Sequence, residues 1–155
     1  MTATEPGGCQ CGAVRYEIDR AAILTLYCCH CRECQRQSAS GFGLSMKAER
    51  TGFRLIKGAL SAWQRPTDRG GITRMRFCPA CGVRICHDAG ADSDMVSLKA
   101  GTLDDTAWLR PVGHIWVKRA QPWVALDPDL LIYDGQPETY DALIAAYRNL
   151  ATATR

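Results

Sequence analysis

Long hydrophobic runs are absent from these 155 residues. A membrane-spanning helix takes roughly 20 consecutive apolar residues, and no stretch approaches that length. The first eight residues have neither a basic start nor an apolar core, so no secretory leader is expected. Charge of one sign is scarce as well: 19 Lys and Arg against 16 Asp and Glu leave a formal net charge of +3, with the basic residues scattered. Nucleic acid and membrane surfaces are therefore not expected partners. Internal repeats, low-complexity tracts and an interdomain linker are also missing. The length suits one domain, residues 1–155, large enough to bury a core without disulfides. The chain does have nine cysteines. Without a leader, the expected compartment is cytoplasmic and reducing, and there clustered cysteines bind metal or react more often than they pair.

The chain reads mostly as short strands. Residues 13–18 alternate, with Val14, Tyr16 and Ile18 opposed to Arg15 and Glu17. Further strands are expected at 24–28, 42–46, 53–56, 60–63, 72–77, 83–86 and 95–98, separated by Gly or charged turns. A short helix is expected over 32–38, which lacks β-branched residues. Tyr140, Leu143, Ile144, Tyr147 and Leu150 recur at helical spacing, with Pro137 suited to a first turn. The Pro-spaced stretch 111–137 reads as ordered loops carrying Trp116 and Trp123 into the core. The expected fold is mainly β, of antiparallel sheets with a C-terminal helix.

Seven of the nine cysteines form three clusters: Cys9 and Cys11; Cys29, Cys31 and Cys34; Cys78 and Cys81. Residues two apart on an extended segment share a face, so Cys9 and Cys11 can present both sulfurs to one ion. Cys78-Pro79-Ala80-Cys81 builds a knuckle, and Gly82 and Gly12 allow a tight turn after each pair. Together the two pairs supply a closed tetrahedron of thiolates for a structural zinc. The alternatives for this set are a disulfide or an iron–sulfur cluster.

The middle cluster offers three thiols within six residues. Cys28 and His30 point the other way on an extended segment and are not counted as ligands. Three thiolates on zinc leave one corner open, where chemistry can occur. Such a site is a weak Lewis acid and suits a soft external thiol better than water. Metal coordination deprotonates a thiol, so attack by that sulfur on an electrophilic carbon is the expected chemistry, with hydrolysis second. The alternative is a second closed site with Cys28, Cys86 or His30 as fourth ligand. Cys28 and Cys86 otherwise read as small buried hydrophobes. Arg32 and Arg36 either meet a substrate carboxylate or lie on a solvated helix face. For His30 the readings are a packed, hydrogen-bonded side chain or one that supports the ligands.

Three motifs then carry a resemblance. Gly8-Cys9-Gln10-Cys11-Gly12-Ala13-Val14-Arg15-Tyr16, Cys29-His30-Cys31-Arg32-Glu33-Cys34-Gln35-Arg36 and Phe77-Cys78-Pro79-Ala80-Cys81-Gly82 occur in this order. The pattern resembles the glutathione-dependent formaldehyde-activating enzyme (GFA) family, which includes the centromere protein V domain. The likeness continues through Ala100-Gly101-Thr102-Leu103-Asp104-Asp105, His114-Ile115-Trp116 and Trp123. It implies a β-tent stapled by a structural zinc on Cys9, Cys11, Cys78 and Cys81. It also implies a second, catalytic and more labile zinc on Cys29, Cys31 and Cys34. The implied reaction is of carbon–sulfur lyase type, joining glutathione to formaldehyde or a related carbonyl, or the reverse. Ser40, Phe42 and Trp63 are candidate walls of the thiol site, and His114 is a proton donor or a structural histidine. The competing readings are a redox or metal sensor and a structural interaction domain with two closed zinc sites.

Overall fold

A computed structural model describes residues 3–67, 69–90 and 92–153. The chain forms two compact units, Met1–Ile23 with Lys47–Trp108 and Leu24–Met46 with Leu109–Arg155. In chain order the elements are β1 Thr4–Gly8, β2 Arg15–Asp19, β3 Ile23–Cys29, α1 Arg32–Ser38, β4 Gly43–Glu49 and β5 Phe53–Lys57. They continue with β6 Ser61–Pro66, β7 Ile72–Phe77, β8 Arg84–Asp88, β9 Met95–Lys99, β10 Gly113–Ile115, β11 Leu131–Tyr133 and α2 Asp141–Ala153. Among the described residues, no helix is long and apolar enough to cross a membrane.

The first unit holds an antiparallel sheet of order β1-β2-β5 and an antiparallel meander β6-β7-β8-β9. The alternation read from residues 13–18 sets its core, where Val14, Tyr16 and Ile18 are buried with Met75, Ile85, Val96 and Leu98. Strand β1 was not expected, because Pro6, Gly7 and Gly8 are poor strand formers. Its register explains the composition. Gly7 faces Tyr16 across the pair, and a Cβ there would stand 2.4 Å from the Tyr16 ring. The Tyr16 hydroxyl is fixed by Thr102 Oγ1 at 2.8 Å.

The second unit carries strands in the order β11-β10-β3-β4. Here the expectation of antiparallel pairing needs a correction, since β10 runs parallel to both β3 and β11. Parallel neighbours need a crossover, and the chain makes a long excursion between Cys29 and Gly113 before β10 returns beside β3. Helix α1 spans the residues read as helix. Helix α2 buries Leu143 against Tyr27, Val112 and Ile115, and Tyr140, Ala146 and Tyr147 pack on the same cluster. It starts at Asp141, so Pro137 lies outside it rather than in its first turn. Trp116 packs against that cluster, but Trp123 is 70% exposed, contrary to the reading that both enter the core.

Candidate metal centres

The sulfurs of Cys9, Cys11, Cys78 and Cys81 lie within 4.8 Å of one another in the first unit. Cys9 Sγ is 3.5 Å from Cys11 Sγ, and Cys11 Sγ is 3.8 Å from Cys78 Sγ. A tetrahedron with Zn–S arms of about 2.3 Å has edges of roughly 3.8 Å, so this set fits zinc. Two matching turns aim the sulfurs. The Gly12 amide donates to the Cys9 carbonyl at 3.1 Å, and the Gly82 amide to the Cys78 carbonyl at 2.9 Å. Both glycines have φ of 74°, the left-handed region that side chains avoid. The Val14 amide donates to Cys9 Sγ at 3.2 Å.

The electrostatics of this group ask for a cation. Burial opposes ionisation of Cys9, but the Val14 amide and the thiols of Cys11, Cys78 and Cys81 hydrogen-bond to it and bring it down to about 6. Cys11 moves the other way. The Ala13 amide favours its thiolate, yet the sulfurs of Cys9 and Cys81 outweigh that and push it up to about 11. Four clustered sulfurs hold few negative charges unless an ion is shared among them.

The second group lies in the second unit and consists of Cys29, Cys31 and Cys34, again with sulfurs within 4.8 Å of one another. Cys29 ends β3, and Cys31 is the residue before α1 in extended conformation (φ −62°, ψ 154°). Its sulfur takes the place of a hydroxyl cap and accepts the Cys34 amide at 3.4 Å. The strand-to-helix turn thus gathers three thiols from six residues. Hydrogen bonds shared with Cys31 and Cys34, followed by burial, push the Cys29 thiol upward. Among the described residues no fourth Cys, His, Asp or Glu ligand atom joins the trio. The donor set is soft and three-coordinate, and it too fits zinc. Cys29 and Cys34 are 6% and 7% exposed, whereas Cys31 is half-buried, so the open side lies at Cys31.

The remaining candidates fall into place around these groups. His30 is wholly buried, and its Nε2 lies 2.9 Å from His114 Nδ1. The His30 amide donates to the Ile115 carbonyl at 2.9 Å, which fixes β3 to β10. Cys28 and Cys86 are buried outside both groups, and burial pushes each thiol up to about 11. Arg36 pairs with Glu33 at 2.9 Å on the exposed face of α1, and Arg32 is exposed on the same helix. Of the proposed walls, Phe42 stacks obliquely on His30 at 5.4 Å between ring centroids. Ser40 is exposed, and Trp63 is 48% exposed on β6 of the first unit. The trio packs instead with Tyr27, Val112, Ile115 and Leu143.

Two glutamines of α1 were not singled out from the sequence. Gln35 Nε2 donates to the His30 carbonyl at 2.7 Å and the Arg119 carbonyl at 2.8 Å, and its Oε1 accepts from Gln121 Nε2 at 2.8 Å. It clamps the backbone between Cys29 and Cys31. Gln37 Nε2 donates to Cys34 Sγ at 3.4 Å. The available signal for Gln37 was its three-residue spacing from Cys34 on a short helix.

Fold and sites together define a mainly β protein with two cysteine centres able to hold zinc. The chain matches the family described as glutathione-dependent formaldehyde-activating enzyme over residues 4–119, and it belongs to that family. Among solved structures it is similar to a crystal structure of a Rhodobacter sphaeroides protein, with a TM-score of 0.51 and 19% identity. That likeness covers 83% of this chain and 98% of the other and speaks to the fold alone.

Proposed function

We propose that the chain is a zinc-dependent enzyme of carbon–sulfur lyase type. It adds a small thiol, glutathione, to formaldehyde or a related carbonyl, or runs the reverse cleavage. In this reading Cys9, Cys11, Cys78 and Cys81 hold a structural zinc, while Cys29, Cys31 and Cys34 hold the catalytic one. The observation that carries it is the unequal division of sulfur, four ligands in one centre and three in the other. Family membership supports the choice of thiol and carbonyl. Nine cysteines outside any disulfide, seven of them in this reading zinc ligands, suit a reducing, cytoplasmic compartment.

A zinc ion bound by three thiolates would supply a soft acceptor on which a thiol ionises near neutral pH. The residues then divide the work. Tyr27, Val112, Ile115 and Leu143 pack around Cys29 and Cys34 and exclude water from that side. The half-buried Cys31 leaves the approach for a small thiol. The Cys34 amide, donating to Cys31 Sγ, offsets part of the negative charge of three sulfurs. Addition balances without a redox partner. The sulfur–carbon bond forms, the carbonyl π electrons pass to oxygen, and that oxygen takes up the thiol's proton. The test is Cys31→Ser with the uncatalysed thiol–aldehyde rate subtracted. The catalysed rate should fall at least about a hundredfold in a folded protein that keeps its first metal. An unchanged rate would remove this function.

A further inference from the structure

Gln37 sits three residues beyond Cys34 on α1, on the same helix face, and its two amide atoms have different fates. Nε2 donates to Cys34 Sγ at 3.4 Å. Oε1 is buried and, among the described residues, has no hydrogen-bond partner. The orientation follows from the sulfur's chemistry. A thiolate ligand has lone pairs and no proton to give, so the amide must turn its nitrogen towards it and its oxygen away. A buried acceptor left unfilled is unfavourable, and such groups are rare unless something supplies the missing donor.

The geometry limits what that donor is. The two heteroatoms of an amide are roughly 2.3 Å apart, so the unfilled oxygen lies within about 6 Å of the Cys34 sulfur. A ligand sulfur at the open corner of the trio would be a near neighbour of Cys34. In a cysteinyl peptide the amide nitrogen stands three bonds from its own sulfur, about 3–4 Å, and an N–H···O bond of about 2.9 Å extends that reach to roughly 6 Å. A simple alkyl thiol has no donor to offer.

We propose that Gln37 is a two-armed positioning residue of the thiol site. Its nitrogen tunes the Cys34 sulfur, and its oxygen receives the amide N–H of an incoming peptide thiol. The proposal rests on the reading of Cys29, Cys31 and Cys34 as the thiol-binding centre. It adds a selectivity for peptide thiols over alkyl thiols and assigns it to one side chain.

The test uses cobalt-loaded full-length protein, comparing wild type with Gln37→Met and Gln37→Asn. Difference spectra cancel the contribution of the first centre. Losing the N–H raises the energy of the Cys34 lone pairs, so the sulfur-to-cobalt absorption should move to lower energy in both variants before any thiol is added. Titration with glutathione should then show affinity reduced about tenfold in Gln37→Met, while ethanethiol binds the variant and wild type alike. An unmoved band in both variants overturns the donor arm. Equal losses for both thiols, or none for glutathione, overturn the acceptor arm. If wild type responds to neither thiol, the thiol-site reading fails and takes the acceptor arm with it, and the band position still judges the donor arm.

Discussion

His30 Nε2 and His114 Nδ1 are joined at 2.9 Å in the buried interior of the second unit, one ring donating and the other accepting. The bond stands beside the register that pairs His114 with Cys28 and Ile115 with Cys29. It therefore braces the strand that delivers the three-thiol centre. His114→Leu leaves the buried His30 Nε2 without its partner and should destabilise the protein by about 1–3 kcal/mol. Burial lowers both imidazoles from their ordinary 6.5, that of His30 further through its neighbour and that of His114 partly offset by Asp127. Their neutral forms are thus the folded forms. The pair's contribution to stability is full above pH 6.5 and falls as pH drops below it, because the unfolded chain's imidazoles take up protons that the folded ones refuse. Each ring contributes a slope of up to about 1.4 kcal/mol per pH unit until its lowered folded value is reached. Urea denaturation of the zinc-loaded protein between pH 7.5 and 5.5 checks this, and His114→Leu should give the shallower slope. Equal slopes would show that the pair does not titrate with folding.

The sequence carried the strands that bury one face. Val14, Tyr16 and Ile18 announced β2 because burial on one side of a strand imposes alternation. The cysteine spacings likewise foretold which sulfurs converge, since a strand end and a helix start fix neighbours locally. What stayed hidden depended on distant partners. Gly7 belongs to β1 because the Tyr16 ring needs the space, and nothing local to Pro6-Gly7-Gly8 says so. Strands β10 and β11 have three residues each, too short for alternation to register. Trp63 looked like a site wall because aromatic content says nothing about which face of a sheet is covered.

Metal removal should divide the nine thiols by reactivity. Burial pushes Cys28 and Cys86 up to about 11, so at pH 8 about a thousandth of either is thiolate. After chelation, mild alkylation read by peptide mass spectrometry should label Cys81, which is half-buried and whose thiol the Val83 and Cys11 amides hold low, well ahead of these two. Labelling of Cys28 or Cys86 at the rate of Cys81 would show that the residue is not sealed in the core.

Gly43 reports on the second centre from β4. A Cβ there would meet Cys34 Cβ at 3.1 Å, with Sγ in ordinary contact at 3.5 Å, so Gly43→Ala makes the Cys34 side chain give by a few tenths of an ångström. The expected cost is about 1–3 kcal/mol of stability. The metal of the three-thiol centre should also transfer more readily to a chromogenic chelator. Gly101→Ala meets nothing within 4 Å and serves as the control, with an effect inside about 0.5 kcal/mol. If the two variants release metal alike, Gly43 does not set the position of Cys34.

The two centres should differ most in what their loss does to folding. Cys11 and Cys78 are 67 positions apart in sequence, yet their sulfurs stand 3.8 Å apart. An ion shared there closes a long loop in the unfolded chain's accounting, which in the cross-link entropy picture is worth about 4 kcal/mol. The three thiols of the second centre come from six consecutive residues, so their ion closes almost no loop. Cys78→Ser should therefore lower zinc from about two ions per chain to about one and the melting temperature by about 8–16 °C. Cys31→Ser should also lose one zinc but shift melting by less than half as much, with its main effect on catalysis. Paired metal analysis and calorimetry decide the matter. Equal melting shifts would mean that both ions serve the fold alike, and the distinction between a sealed and a working centre would have no energetic counterpart.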